Sequence, residues 1–355
     1  GCYKFEFFRL SARRFGVMND YHFGDTNRKS QEAVVDKLIN LQKRPEFIVM
    51  PGDLLDCPTA PAGDGNPLHF PAVRDIWGNL IDGLEEQSIP VADGLGNHDL
   101  WTGFGGENVK GDIQQRNKKR IAEGSLFLPY GISTADNAAN YGNKGYHYTW
   151  FFPLKKNGKK VLVAFFMLNN LPGNANRTDP GDTGHGHDEG TYAFGALDYL
   201  KASMRTMACM PDYDYKVGIP MFHINYGCDV NGDTHGNPER WWTYADKKAL
   251  KDVLDKAPIK IVTAFFGHEH VRSIEKQTLY IGDRKDPANK TEYSGYRCAC
   301  SIDKPRLNII DLELVEENGH CKIKITPRFI EVAKLTSTDD CLPMIKEELQ
   351  SCIEL

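Results

Sequence analysis

The feature that most constrains this chain is a short apolar run that ends at a glycine and at once presents acid: Phe47-Ile48-Val49-Met50, then Pro51-Gly52-Asp53-Leu54-Leu55-Asp56. Such a run reads as a buried strand whose carboxyl end delivers Asp53. Other polar clusters sit the same way. Asp20-Tyr21-His22 follows the segment Phe15 to Asn19, and Gly96-Asn97-His98-Asp99 follows Ile89 to Ala92. His223 closes Val217 to Phe222, and Gly267-His268-Glu269-His270 closes Ile261 to Phe266. Asp, Asn and His gathered at five separated strand ends form the ligand inventory of a site for two metal ions that share one carboxylate.

The segments between these clusters set the topology. Ser30 can cap a helix that places Val34, Leu38 and Leu41 on one face, and Pro45 closes it. A second helix from Pro71 would carry Val73, Ile76, Trp77, Leu80, Ile81 and Leu84 as a stripe. Two successive β-α-β units therefore bring three polar clusters to one sheet edge, the carboxyl edge at which open α/β sheets bind ligands. Residues 101–143 and 169–190 lack periodicity and read as insertions covering that edge, joined by the loop 225–240. Strands at Tyr146 to Phe152 and Val161 to Leu168 bracket a turn at Lys155 to Lys160. Helices are expected through Leu197, Leu200, Met204 and Met207 and over Ala245 to Leu254.

Beyond Gly267 the pattern changes to strands without helices: Val271 to Ile281, Arg306 to Leu314 and Lys322 to Ile330, the last two joined by Glu317-Asn318-Gly319. These suggest a second, mostly antiparallel sheet. The expected organisation is one α/β domain over 1–330, with a tail, 331–355, whose end from Leu342 to Leu355 reads as a short helix.

Composition narrows the partners. The chain has 355 residues, 41% hydrophobic and 26% charged, with a net charge of -5. This is ordinary for a globular protein with a sizeable core, and it disfavours nucleic acid as a general partner. No apolar run approaches the roughly 18 residues of a membrane span, and the start lacks the order of a signal peptide. Nine cysteines fit no zinc-finger spacing; Cys298, Cys300 and Cys321 read as buried thiols. Together with sequons at Asn176 and Asn289, the cysteine count leans toward a secreted or extracytoplasmic setting.

Taken in order, Asp20-x-His22, Gly52-Asp53-x-x-Asp56, Gly96-Asn97-His98-Asp99, His223 and Gly267-His268-x-His270 resemble the five motif blocks of the calcineurin-like metallophosphoesterase superfamily. The resemblance spans about residues 15 to 275. It implies a two-sheet β-sandwich flanked by helices, with a dinuclear centre at the sheet ends. Carried over residue by residue, one ion would take Asp20, His22, Asp53 and His270, and the other Asp53, Asn97, His223 and His268. Imidazole and carboxylate ligands suit Fe, Mn, Zn or Ni. The resemblance further implies that His98 lies over the phosphate and helps protonate the leaving oxygen, with Asp99 orienting it.

Departures narrow the branch. Asp56-Cys57-Pro58 stands where the protein serine/threonine phosphatases have Asp-Arg-Gly. His22 is present, and Asp56 occupies the position of the tyrosine ligand of purple acid phosphatases, so no tyrosinate-to-iron colour is expected. The substrate implied is a small-molecule or lipid-like phosphate ester, with a monoester favoured over a diester. A catalytically silent binding protein and a nuclease are the rival readings. The first is disfavoured by the complete ligand set, the second by the acidic balance.

Other clusters have plainer explanations. Gly184-His185-Gly186-His187 reads as a solvated loop. Asp229-Val230-Asn231-Gly232-Asp233 lacks the turn glycine and closing Glu of a calcium loop. Trp101, Trp241 and Trp242 read as packing residues at loop ends. Arg272, just after the last block, is the candidate cation for substrate.

Overall fold

Strand β1 (Ala12–Val17) lies between β2 (Phe47–Met50), which it pairs in parallel, and β11 (Arg306–Glu317), which it pairs antiparallel. From this pair the first sheet grows both ways. Strand β3 (Val91–Asp93) joins β2 in parallel; β12 (His320–Glu331) and β13 (Ser351–Glu354) extend the other side as antiparallel partners. Its order is β13-β12-β11-β1-β2-β3.

The second sheet runs in the order β4-β5-β6-β8-β10-β9, with the two-residue β7 (Lys260–Ile261) beside β6. Strands β5 (Lys159–Met167), β6 (Tyr215–Ile224), β8 (Phe265–Gly267) and β10 (Lys290–Arg297) are parallel neighbours. Strands β4 (Tyr148–Lys156) and β9 (Glu275–Tyr280) close the two edges antiparallel. The computed structural model describes residues 11–22, 28–41, 44–54, 81–96, 147–168, 196–227, 242, 244–302, 304, 306–331 and 347–355.

Strand alternation explains the layers. On β5, Val161, Val163, Phe165 and Met167 face the cluster between the sheets. Leu162, Ala164, Phe166 and Leu168, the last just past the strand, face a second cluster with the helices Ala196–Ala208 and Tyr244–Asp255. A strand buried on both faces is apolar, as β5 is from Val161 onward, after the exposed Lys159 and half-buried Lys160. Val34 and Leu38 of the helix Arg28–Asn40, and Ile81 and Leu84 of the helical residues 81–86, join the first cluster. The result is a two-sheet α/β sandwich flanked by helices. No helix among the described residues is long and apolar enough to cross a membrane.

Phe15 is the hub between the sheets. Its ring stacks on Phe47 at 5.2 Å and meets Phe165 and Phe265 edge-on, each at 5.4 Å, with no exposed surface. Phe15→Ala is expected to cost about 3–5 kcal/mol of stability, the range for emptying an aromatic site in a tight core. Equilibrium denaturation measures it; a loss below about 1 kcal/mol would contradict the placement of this ring.

Several expectations are corrected. The C-terminal strands do not build a second sheet of their own, because β11 pairs with β1 and extends the first. The second sheet is instead mostly parallel at its centre, and β10 was not anticipated. The strand expected over Ile261 to Phe266 is interrupted: its register against β6 advances by one residue between Ile261 and Phe265, as a bulge requires.

At the end of the chain, a 3-10 turn at Glu347–Leu349 leads into edge strand β13, where a helix was expected. Ladder pairing of Ser351 to Glu354 with β12 outweighs the weak local helical preference of so short a segment.

The two hairpins close tighter than expected. Asn157-Gly158 and Asn318-Gly319 all have positive φ, at 49°, 79°, 54° and 80°, as a two-residue type I′ turn demands. The ladder therefore runs up to Lys156 and Lys159 on one hairpin. Cys298, Cys300 and Cys321 are buried free thiols, and Cys209 and Cys352 are exposed ones. The sequon residue Asn289 ends a short 3-10 turn, and its amide donates to the Asp283 carbonyl at 3.0 Å.

Several expectations fall outside the described residues: the insertions 101–143 and 169–190, the helix from Pro71 before residue 81, the loop from 228 to 240, Trp101, Trp241, Asn176, Asp56, Asn97, His98, Asp99, His185 and His187.

Candidate metal centre

The parallel strands of both sheets end at the same place. Asp20 and His22 follow β1, Asp53 follows β2, His223 is the penultimate residue of β6, and His268 and His270 follow β8. A straight exit from a strand would carry these side chains past one another, so the backbone turns sharply instead. Asp20, His22, Asp53 and His268 adopt positive φ of 49°, 43°, 51° and 77°. Left-handed backbone in a residue with a Cβ costs on the order of 1 kcal/mol, and such outliers concentrate at functional sites. The four other non-glycine positive-φ residues among the described ones, Ser88, Asn157, Asp212 and Asn318, lie in turns or bends between elements.

Glycines make room for this convergence. At Gly52, with φ of 135°, a Cβ would stand 2.6 Å from the Gly96 nitrogen and 2.8 Å from His223 Nδ1. A Cβ on Gly96 would press on the Asp53 carboxylate, and one on Gly267 would stand 2.6 Å from Asp20 Oδ2. Gly52, Gly96 and Gly267 are therefore packing requirements of the site.

The side chains form two overlapping sets. Ligand atoms of Asp20, His22, Asp53 and His270 lie within 4.8 Å of one another, as do those of Asp53, His223 and His268; Asp53 belongs to both. Asp53 Oδ2 is 3.0 Å from His223 Nε2 and 3.4 Å from His22 Nε2. His22 Nε2 faces His270 Nε2 at 2.9 Å, and His268 Nδ1 faces His223 Nε2 at 3.3 Å. Asp20, His22, Asp53 and His223 are at most 1% exposed, while His270 is 40% exposed and lies on the open side.

This donor set fits cations. At most one proton can lie between the two nitrogens of a facing imidazole pair, and the remaining lone pairs converge on the same volume as two buried carboxylates. Burial lowers the pKa of His270, the nearby Asp20 charge opposing in part, so its ring is neutral near neutrality as a metal ligand must be. Burial raises the pKa of the Cys298 thiol, and the negative charge of Asp20 adds to the effect, so this sulfur stays protonated and is no thiolate donor.

Hydrogen bonds lock the blocks together. His22 N–H donates to the Asp53 carbonyl at 2.9 Å, joining the first block to the second. Asn225, fully buried, donates through Nδ2 to the Gly267 carbonyl at 3.0 Å and accepts from Gly227 N–H at 2.8 Å, joining the β6 and β8 ends. Asn308 on β11 donates to the carbonyls of Val17 and Ala299 at 2.9 and 2.7 Å, which ties β1 to the segment after β10. Arg297 donates to both Glu269 and Glu275, holding the residue between His268 and His270.

Sequence reasoning missed Asn19, Asn225 and Asn308. An asparagine beside a strand end is a weak signal, although its place within two residues of Asp20 or His223 marked the first two. Arg272 is exposed, two residues past His270. Trp242 is 1% exposed, donates to the Ile224 carbonyl at 3.1 Å and packs on Phe222, so it is a core residue.

No protein-family profile matches the chain, and no curated protein matches it. Among solved structures the chain is similar to that of PhoD, with a TM-score of 0.47 and 9% sequence identity over 89% of this chain. It spans 65% of the PhoD chain.

Proposed function

We propose that this chain hydrolyses phosphate esters with two divalent metal ions, in the manner of the calcineurin-like metallophosphoesterases, and that monoesters are its better substrates. The observation that carries this reading is the pair of donor sets that share Asp53 at the carboxyl ends of parallel strands from both sheets. Asp20, His22, Asp53 and His270 would hold one ion; Asp53, Asn97, His223 and His268 would hold the other. Ions bound there would draw charge from the phosphate oxygens and lower the pKa of a water held for attack.

The chain's own residues supply the rest. Asp53 has two carboxylate oxygens and can serve both sets at once. The buried, bonded blocks fix the donors in advance, so little reorganisation is needed when charge develops on phosphorus. His98, next in sequence to Asn97, is assigned to the open face, where it would steady the phosphate and give a proton to the leaving oxygen, with Asp99 orienting the ring. His270, half-open to solvent, marks the side from which substrate enters, and Arg272 beyond it is a cation for the substrate's outer oxygens.

Preference for monoesters is read from the three long segments, 101–143, 169–190 and 225–240, which follow the third block, β5 and His223 in the chain and are expected to wall the site. A pocket walled in that way would suit a terminal phosphate better than an internal diester. The expected result is a higher kcat/KM for p-nitrophenyl phosphate than for bis(p-nitrophenyl) phosphate in the metal-loaded enzyme. Faster cleavage of the diester would reverse the preference and leave the metal assignment standing, whereas no cleavage of either by protein holding two ions would favour a silent binding protein.

A further inference from the structure

Asp20 is held from behind. Its carboxylate accepts the backbone N–H of His268 at 2.9 Å on Oδ1 and 3.0 Å on Oδ2, and Asn19 Nδ2 donates to Oδ2 as well. Asn19 is itself fixed. It is 1% exposed, its Nδ2 reaches the Cys298 carbonyl at 3.3 Å, and its backbone bridges to Cys300. A Cβ at Gly267 would stand 2.9 Å from Asn19 Nδ2 and 2.6 Å from Asp20 Oδ2, so this contact is closed on a second side. The other oxygen, Oδ1, shares the His268 N–H but has no bond from Asn19, and it lies 3.9 Å from both His223 Nε2 and His270 Nε2.

We propose that Asn19 is a positioning residue that occupies Asp20 Oδ2 and thereby presents Oδ1 alone to the ion held with His22, Asp53 and His270. The inference rests on the proposed function and assigns a role to a residue that binds neither metal nor substrate. A carboxylate can rotate, chelate through both oxygens or swing away. A charge-assisted bond from a buried amide, itself anchored to the Cys298 carbonyl, removes those freedoms. Groups behind a ligand typically tune metal affinity by about 10–100-fold. Among the described residues the Asn19 side chain donates to Asp20 and to the Cys298 carbonyl, so its effect is expected to fall on the ion that Asp20 helps to hold.

The test is calorimetric titration of Zn2+ into metal-free wild type and Asn19→Leu, which removes the donor while keeping the branched shape. Wild type is expected to bind in two steps. The variant is expected to show one step weakened by about 10–100-fold and the other within about threefold. The melting temperature of the metal-free variant should stay close to wild type, and turnover should return in excess Zn2+. Two unchanged steps, or equal weakening of both with a lower metal-free melting temperature, would overturn the proposal.

If Asn19→Leu does not fold, a crystal structure of zinc-loaded wild type decides. Asp20 Oδ1 should lie about 2.0–2.2 Å from an ion while Oδ2 remains on Asn19; ligation through Oδ2 would contradict it. Wild-type protein that takes up no divalent ion would overturn the proposed function itself, and this inference with it.

Discussion

Asp53→Asn is expected to weaken both metal steps by more than about 100-fold, a loss beyond that of removing a group one layer behind a ligand. Asp53 is the one residue common to both donor sets, and its Oδ2 stands within 3.4 Å of the ring nitrogens of His22 and His223. Asparagine keeps the shape and tolerates the positive φ of 51°, so the turn survives. It loses the negative charge and one oxygen donor, and two cations then face each other without their shared counter-charge. Turnover should fall in step with lost occupancy. Elemental analysis of the folded variant beside its kcat is the measurement; two retained ions with normal turnover would remove Asp53 from the centre.

His98→Ala should behave in the opposite way toward metal. The residue is assigned to phosphate and leaving group, so the variant is expected to keep both ions while kcat falls by about two to four orders of magnitude, the range for losing a positioned acid or a transition-state contact. The fall should shrink for esters with good leaving groups, because these need less protonation as they depart. Unchanged turnover across leaving groups would leave His98 without the role given to it. Loss of metal in this variant would place it among the ligands.

How much of this was legible in the chain follows from the physics of each element. The strand Phe47–Met50 has the same bounds in the sequence reading and in the fold because its limits are set locally, by Glu46 before it and Pro51-Gly52 after it. The helix through Leu197, Leu200, Met204 and Met207 was equally plain, since its apolar stripe faces one core and all four residues are buried. Asp20, His22, Asp53, His223, His268 and His270 come together because each sits at a strand end, and parallel strands align their carboxyl ends.

The parallel pairing of β1, β2 and β3 was legible from the two β-α-β units, but the sheet membership of the later strands was not. Whether β11 pairs with β1 or with a later strand depends on contacts nearly 300 residues apart, such as Arg14 with Asp311, and no local pattern encodes that choice. The supporting asparagines were hidden for a related reason. Asn308 matters through the carbonyls of Val17 and Ala299, which come within its reach only in the folded sandwich.

The central claim is that two ions share Asp53 at the meeting of the two sheets. Anomalous scattering from crystals of the metal-loaded protein tests it most directly. Two peaks per chain are predicted, roughly 3.5–4 Å apart on either side of Asp53, one among Asp20, His22 and His270 and the other beside His223 and His268. A single peak, or peaks that leave Asp53 outside their coordination, would contradict the account.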